Sequence, residues 1–177
     1  GSATGICGSG IIDAVAVLLE QGAVNQRGRL QTPEDCPAMG RYLRENEGQR
    51  ICQLRDGVYL TQEDIREVQM AKGAIAAGIE LMAKYLPCEL EDIRSVLLAG
   101  AFGSFIRPES ACRIGLLPPQ LLDRIHPVGN AAGSGTKMIA CSRRELDRTD
   151  RLKDKVALLE LSTLPEFQHC FGKNMRL

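Results

Sequence analysis

Val96-Leu97-Leu98-Ala99-Gly100-Ala101-Phe102-Gly103-Ser104-Phe105 begins as an unbroken apolar run and ends in a turn carrying two glycines. A short run that is apolar on both faces reads as a buried strand of a parallel sheet, and a glycine turn at its carboxyl end reads as the approach to a helix. Downstream, Pro108 opens a short helix, and Leu121 to Ile125 reads as a further helical turn. His126-Pro127-Val128 reads as loop leading to Gly129-Asn130, and Ala131 to Cys141 as a helix of small residues. Ser142 to Lys155 mixes both signs of charge, the pattern of a solvated helix. Val156 to Leu161 reads as a strand, and Leu164 to Cys170 as a closing helix.

Upstream, Gly5 to Gly22 passes from a glycine turn into a helix with Ile11, Ile12, Ala14, Val15, Leu18 and Leu19 on one arc, and Gly22 is the natural stop. Residues 25–50 are polar and interrupted by Pro33 and Pro37, so they read as a surface excursion with a short strand near Arg29 to Gln31 and a short helix. In Ile51 to Leu60, β-prone runs flank Asp56-Gly57, the dipeptide of a tight hairpin. Thr61 with Asp64 three residues on resembles a capping box. It starts a helix from about Gln62 to Tyr85, with a candidate break near Val68. Its expected buried arc is Ile65, Val68, Ala71, Ile75, Ile79, Met82 and Leu86, and a second arc carries Gln69, Lys72, Gly73, Ala76 and Glu80. Helices alternating with buried strands around a hairpin-bearing excursion predict an α/β fold with an inserted subdomain.

Composition narrows the function. Lys plus Arg and Asp plus Glu both number 22, so the zero net charge leaves no overall electrostatic footprint for nucleic acid or an anionic membrane. No apolar run approaches the length of a membrane helix. No leader peptide is visible, and Gly1-Ser2 reads as a tag scar. The seven cysteines are scattered, and no Cys-x-x-Cys-like pair can aim two thiolates at one ion. With five of them in apolar contexts, they read as reduced core cysteines of a cytoplasmic protein with no metal site, a metal assembled from distant positions being the minority alternative.

Three glycine clusters mark candidate chemistry: Gly5 with Gly8-Ser9-Gly10, Gly100 with Gly103, and Gly129 with Gly133 and Gly135. A glycine at a helix end is ordinary on its own. Three clusters at junctions with helices point to a nucleotide, because bare backbone amides can approach an anion or a flat ring there. There is no Walker loop, no dinucleotide fingerprint and no Gly-x-Ser-x-Gly elbow, and neither His126 nor His169 has a plausible catalytic partner. Lys72 borders the apolar arc of the long helix beside Gln69, Gly73 and Ala76. It reads equally as a lysine snorkelling over small residues or as the wall of a cleft, bonding ribose or phosphate with Gln69.

Together, GICGSGIIDAVA (from Gly5), TQEDIREVQMAKGAIAAGIELM (from Thr61), VLLAGAFGSFIRPESACRIGLLP (from Val96) and VGNAAGSGTKMIA (from Val128) resemble the C-terminal part of the ATP-dependent reductive activators of corrinoid proteins. That family belongs to the acetate/sugar kinase, heat-shock chaperone and actin superfamily. The resemblance runs from about Gly5 to Leu161. It implies a ribonuclease-H-like (actin-like ATPase) lobe over residues 1–177, with an insertion at about 25–92. By resemblance, Gly100, Ala101, Phe102, Gly103 and Ser104 belong to the adenosine motif. Gln69 and Lys72 match a Glu-x-x-Lys pair against ribose and adenine, with Gln replacing Glu. Gly8, Ser9 and Gly10 match a phosphate-side turn, and Asn130 and Gly133 open the hinge helix. The superfamily's Asp-x-Gly-Thr phosphate hairpins do not occur in this chain, nor does the cysteine-rich iron–sulfur domain of such activators.

The resemblance implies ATP or ADP with Mg in the full-length protein, an iron–sulfur cluster only in a domain outside this chain, a corrinoid protein as partner and a homodimer. No catalytic residue is assigned, and the chain alone is expected not to hydrolyse ATP. Its implied role is to help return Co(II) corrinoid to Co(I) on a methyltransferase-system partner. The alternatives are a dimerisation or partner-docking module, or the lobe of a hydroxyacyl-CoA dehydratase activator-like ATPase.

Overall fold

The structure, a computed structural model, describes residues 3–86 and 88–177; the tag reading of Gly1-Ser2 lies outside the described residues. Helix α1 spans Gly8–Glu20 and ends at Gly22, whose φ of +72° only glycine adopts without strain. The excursion that follows has one bridge, Val24 to Leu30, and a single 3-10 turn at Pro37–Met39. It also holds a strand that the sequence reading did not anticipate, β1 (Leu43–Asn46). β1 pairs antiparallel with β2 (Gln49–Arg55) across a turn at Glu47 and Gly48, both with positive φ. β2 then pairs with β3 (Val58–Thr61) through the expected Asp56-Gly57 turn. The result is a three-stranded sheet in the order β1-β2-β3.

Helix α2 (Gln62–Tyr85) starts at a complete capping box. The Thr61 hydroxyl accepts from the Asp64 N–H at 3.0 Å, and the Asp64 carboxylate accepts from the Thr61 N–H at 2.8 Å. The helix continues unbroken through Val68. Its buried face is Ile65, Val68, Gln69, Lys72, Gly73, Ala76, Ala77 and Leu81. The expected arc is therefore corrected beyond Val68: Ala71, Ile75, Met82 and Leu86 are exposed, and Ile79 is half-buried. The cause is α7 (Phe167–Asn174), which packs along the small-residue face of α2. There Gly73 and Gly78 bring Asn174 and Leu161 to within van der Waals reach.

β4 (Val96–Ala99) runs parallel to β5 (Ile125–Gly129), with α3 (Gly100–Phe105) and α4 (Pro108–Arg113) in the connection. β5 contains His126 and Pro127, expected as loop; a two-stranded sheet has only edge strands, where a missing N–H is tolerated. α5 (Ala131–Cys141) and α6 (Arg143–Lys153) follow, and neither buries a residue. Val156 to Leu161 is not a strand: it is irregular and leads into a 3-10 turn at Leu161–Thr163. A β-prone run forms no ladder without a neighbour, and Val156 and Leu158 stand 76% and 89% exposed.

One apolar core joins Val15 and Leu18 of α1, Leu43, Cys52 and Leu60 of the antiparallel sheet, Ile65 and Val68 of α2, and Ala111 and Ile114 around α4. Ala77 and Leu81 form a second cluster with Cys170 of α7. Cys36, Cys52, Cys112 and Cys170 are buried thiols, whereas Cys7 and Cys141 are exposed.

Candidate functional site

The parallel pair sets the geometry. Ala99 lies opposite Gly129 at the carboxyl ends of β4 and β5. Gly100 (φ +87°) and Gly129 (φ +66°) turn the chain there into α3 and α5. Side-chain bonds close both turns: the Ser104 hydroxyl donates to the Gly100 carbonyl at 2.8 Å, and the Asn130 carboxamide oxygen accepts from the Gly133 N–H at 2.9 Å. Gly103 is buried against Leu98, where a Cβ would come within 3.1 Å of the backbone. Gly133 likewise leaves room for the Asn130 amide.

α3 packs on β4, β5 and α1. The Phe102 ring lies directly over Gly8, so that any side chain there would push it away. This brings Gly8, Ser9 and Gly10 of the α1 N-terminus toward the turn of Gly100, Ala101 and Phe102. No side chain caps α1, and its first turn holds no acidic residue. Its leading N–H groups and partial positive charge are thus open to an anion. The exposed Cys7 thiol is held below its ordinary pKa by its hydrogen bond with Ser9 and by the Gly10 backbone. Phe102, half exposed, supplies an apolar ring face beside this end. Of the expected site residues, Gly8 to Gly10, Gly100 to Ser104, Asn130 and Gly133 therefore gather around the carboxyl ends of the parallel strands.

Gln69 and Lys72 are placed differently: both are buried, and Gln69 reaches only the edge of a cleft lined by arginines, so the expectation that the pair walls a nucleotide crevice facing the Gly100 turn is corrected. Gln69 donates to the carbonyls of Met175 at 2.8 Å and Arg27 at 3.2 Å. Lys72 donates to the Arg176 carbonyl and abuts Gly115. Both are buried beneath the chain's own C-terminal backbone, and burial pulls the Lys72 pKa down to about 8. The small residues of α2 do admit a close neighbour, but that neighbour is α7 with its tail. The stripe of Gly73, Ala76 and Ala77 signals a close approach without saying by what.

Sequence reading also missed a basic cleft beside the first turns of α2. Arg27, Arg29, Arg50 and Arg66 line a cavity of about 760 Å³ there. Their spacing along the chain carries no signal, because the 25–30 turn, the start of β2 and the first turns of α2 bring them together. Among the described residues no three His, Cys, Asp or Glu side chains assemble a metal site.

Residues 1–177 match the protein family described as the C-terminal domain of RACo, the ASKHA domain. The chain is 30% identical to the corrinoid activation enzyme RamQ of Eubacterium limosum, over 96% of this chain and 30% of that protein. It is 25% identical to the [Co(II) methylated amine-specific corrinoid protein] reductase of Methanosarcina barkeri, over 87% of this chain and 25% of that one. A solved reductive activator for corrinoid, iron–sulfur protein superposes with a TM-score of 0.86 at 29% identity, covering 97% of this chain and 28% of that one. The chain thus spans less than a third of the length of these relatives. It belongs to the family of RACo C-terminal domains, an ASKHA (actin-like ATPase) domain of mixed α/β, ribonuclease-H-like fold.

Proposed function

We propose that this chain is the nucleotide-binding lobe of an ATP-dependent reductive activator, which returns Co(II) corrinoid to Co(I) on a methyltransferase-system partner. The observation that carries the reading is the gathering of Gly8 to Gly10, Gly100 to Ser104 and Asn130 to Gly133 at the carboxyl ends of β4 and β5. Open α/β sheets hold ligands at that end. Phe102 supports the purine, the turn at Gly100 lets backbone approach it, and the uncapped N–H groups of α1 face the phosphates. Asn130 fixes the first turn of α5, the hinge helix. Bound ATP supplies the free energy of lobe closure, and Mg accompanies it in the full-length protein. Gln69 and Lys72 act on the nucleotide only if the backbone of Met175 and Arg176 moves off them.

The thiols of this chain do not suit an iron–sulfur cluster: four are buried singly and no set of ligands converges among the described residues. The cluster of the parent protein belongs to a domain outside this chain. The lobe comprises residues 1–177 with an insertion at about 25–92, works in the cytoplasm and pairs as a homodimer. Among the described residues, no helix is long and apolar enough to cross a membrane. Alone, the chain does not hydrolyse ATP. A second reading, a docking or dimerisation module, draws support from Leu97, Phe105 and Leu158, which are 63%, 73% and 89% exposed.

The test is an amide NMR titration with ADP, which detects weak binding. Shifts centred on Gly100 to Ser104, Ser9 and Gly133, lost in Phe102→Ala, are expected. A saturating titration that leaves these amides unmoved would overturn the nucleotide reading.

A further inference from the structure

The cleft beside α2 is a concentration of one charge in a chain whose net charge is zero. Arg27, Arg29, Arg50 and Arg66 line it with a single carboxylate, Glu63, and Gln69 at its edge. Among the described residues none of the four arginines makes an ion pair. Like charges gathered in a concave surface repel one another, and nothing in the fold needs three of these guanidinium groups. Arg50 alone has a structural bond, donating to the Leu30 carbonyl at 2.9 Å.

The walls of the cleft are rigidly built. The Gln62 carboxamide accepts from the Leu30 N–H at 2.9 Å and donates to the Gly28 carbonyl at 2.7 Å. Gln69 holds the Arg27 carbonyl, and the Asn25 side chain accepts from the N–H groups of Arg27 and Arg29. The opposite wall is the tight turn at Glu47-Gly48, which leads into Arg50. The turn bearing two arginines is thus fixed before any ligand arrives, which lowers the ordering cost of binding.

We infer that this cleft binds a small molecule carrying two or more phosphoryl groups, at a site separate from the carboxyl ends of β4 and β5. Guanidinium forks match phosphate oxygens bidentately, and a cleft of about 760 Å³ falls within the size range of small-molecule sites. The inference does not depend on the proposed nucleotide role.

The experiment is calorimetric titration of the chain with inorganic pyrophosphate at low salt, alongside side-chain NMR of the arginine Nε–H groups. Saturable one-to-one binding is expected, weakened about tenfold or more in Arg29→Gln/Arg66→Gln, both exposed positions. Glu63→Gln, which removes the opposing carboxylate, tightens it. The arginine signals of the cleft shift, whereas the amides of Gly100 to Ser104 do not. Several results would overturn the inference: no saturable binding, equal affinity in the folded double variant, or shifts confined to the β4–β5 end. So would arginine-dependent binding of a polyglutamate peptide more tightly than pyrophosphate, which would make the cleft a protein contact. The ADP titration at Gly100 to Ser104 fails or succeeds independently of all of these.

Discussion

Lys72 is a buried cation bonded to the Arg176 carbonyl, with its pKa lowered to about 8 from 10.5 by burial. In the unfolded chain it keeps its proton to higher pH, so between those two values the unfolded state binds more protons. The penalty for burying the charge is complete below about 8 and disappears as pH rises toward the unfolded value. Wild type should therefore gain stability relative to Lys72→Met between about pH 8 and pH 10.5, read by urea denaturation of both proteins. A difference that stays flat over that range would mean that the ammonium is hydrated. Gly28 makes a second residue-scale case. Its φ is +77°, and a Cβ would fall on the Gln69 amide. Gly28→Ala should cost about 2–3 kcal/mol, from left-handed backbone strain plus displaced hydrogen bonds. Gly5→Ala, with open space around it and no positive φ, should change stability by less than about 0.5 kcal/mol in the same melt.

At the scale of elements, signals carried by neighbouring residues were legible and those needing a distant partner were not. Asp56-Gly57 and the Thr61/Asp64 box act within a few residues, and both form as read. Thr61→Ala should accordingly cost about 1 kcal/mol in thermal unfolding, while Thr61→Ser, which keeps the hydroxyl, should cost little. β1 escaped notice because Leu43 to Asn46 is polar, and Glu47-Gly48 is a less recognisable turn than Asp-Gly. The buried face of α2 was misread because α7, more than eighty residues away in sequence, decides which side of that helix meets protein. Val156 to Leu161 has the composition of a strand and lacks a strand to pair with. The same division holds at the site. The turns at Gly8, Gly100 and Asn130 could be found from their junctions with helices, whereas the cover over Lys72 and the cluster of arginines arise only on folding.

Over the whole molecule, apolar surface is unevenly shared. The antiparallel sheet, α1 and α4 close around one core, while α5 buries nothing and Leu97 in a parallel strand is 63% exposed. Parallel strands are ordinarily covered on both faces. Leu97→Lys and Leu158→Lys should therefore leave the stability of the chain within about 0.5 kcal/mol of wild type while reducing its binding of a hydrophobic dye. A loss of about 2 kcal/mol or more in either variant would place that side chain in a packed interior instead.

The Gln62 side chain, by accepting from Leu30 and donating to Gly28, behaves as one rung of a ladder that the backbone itself never forms. A glutamate there would fill the same space, yet present an oxygen where the Gly28 carbonyl needs a proton. The loop is consequently free to vary in the side chains it displays at 27 and 29, provided the amides of Gln62, Gln69 and Asn25 keep their polarity and Gly28 stays bare. New surface chemistry can be tried on that rim without rewriting the scaffold underneath.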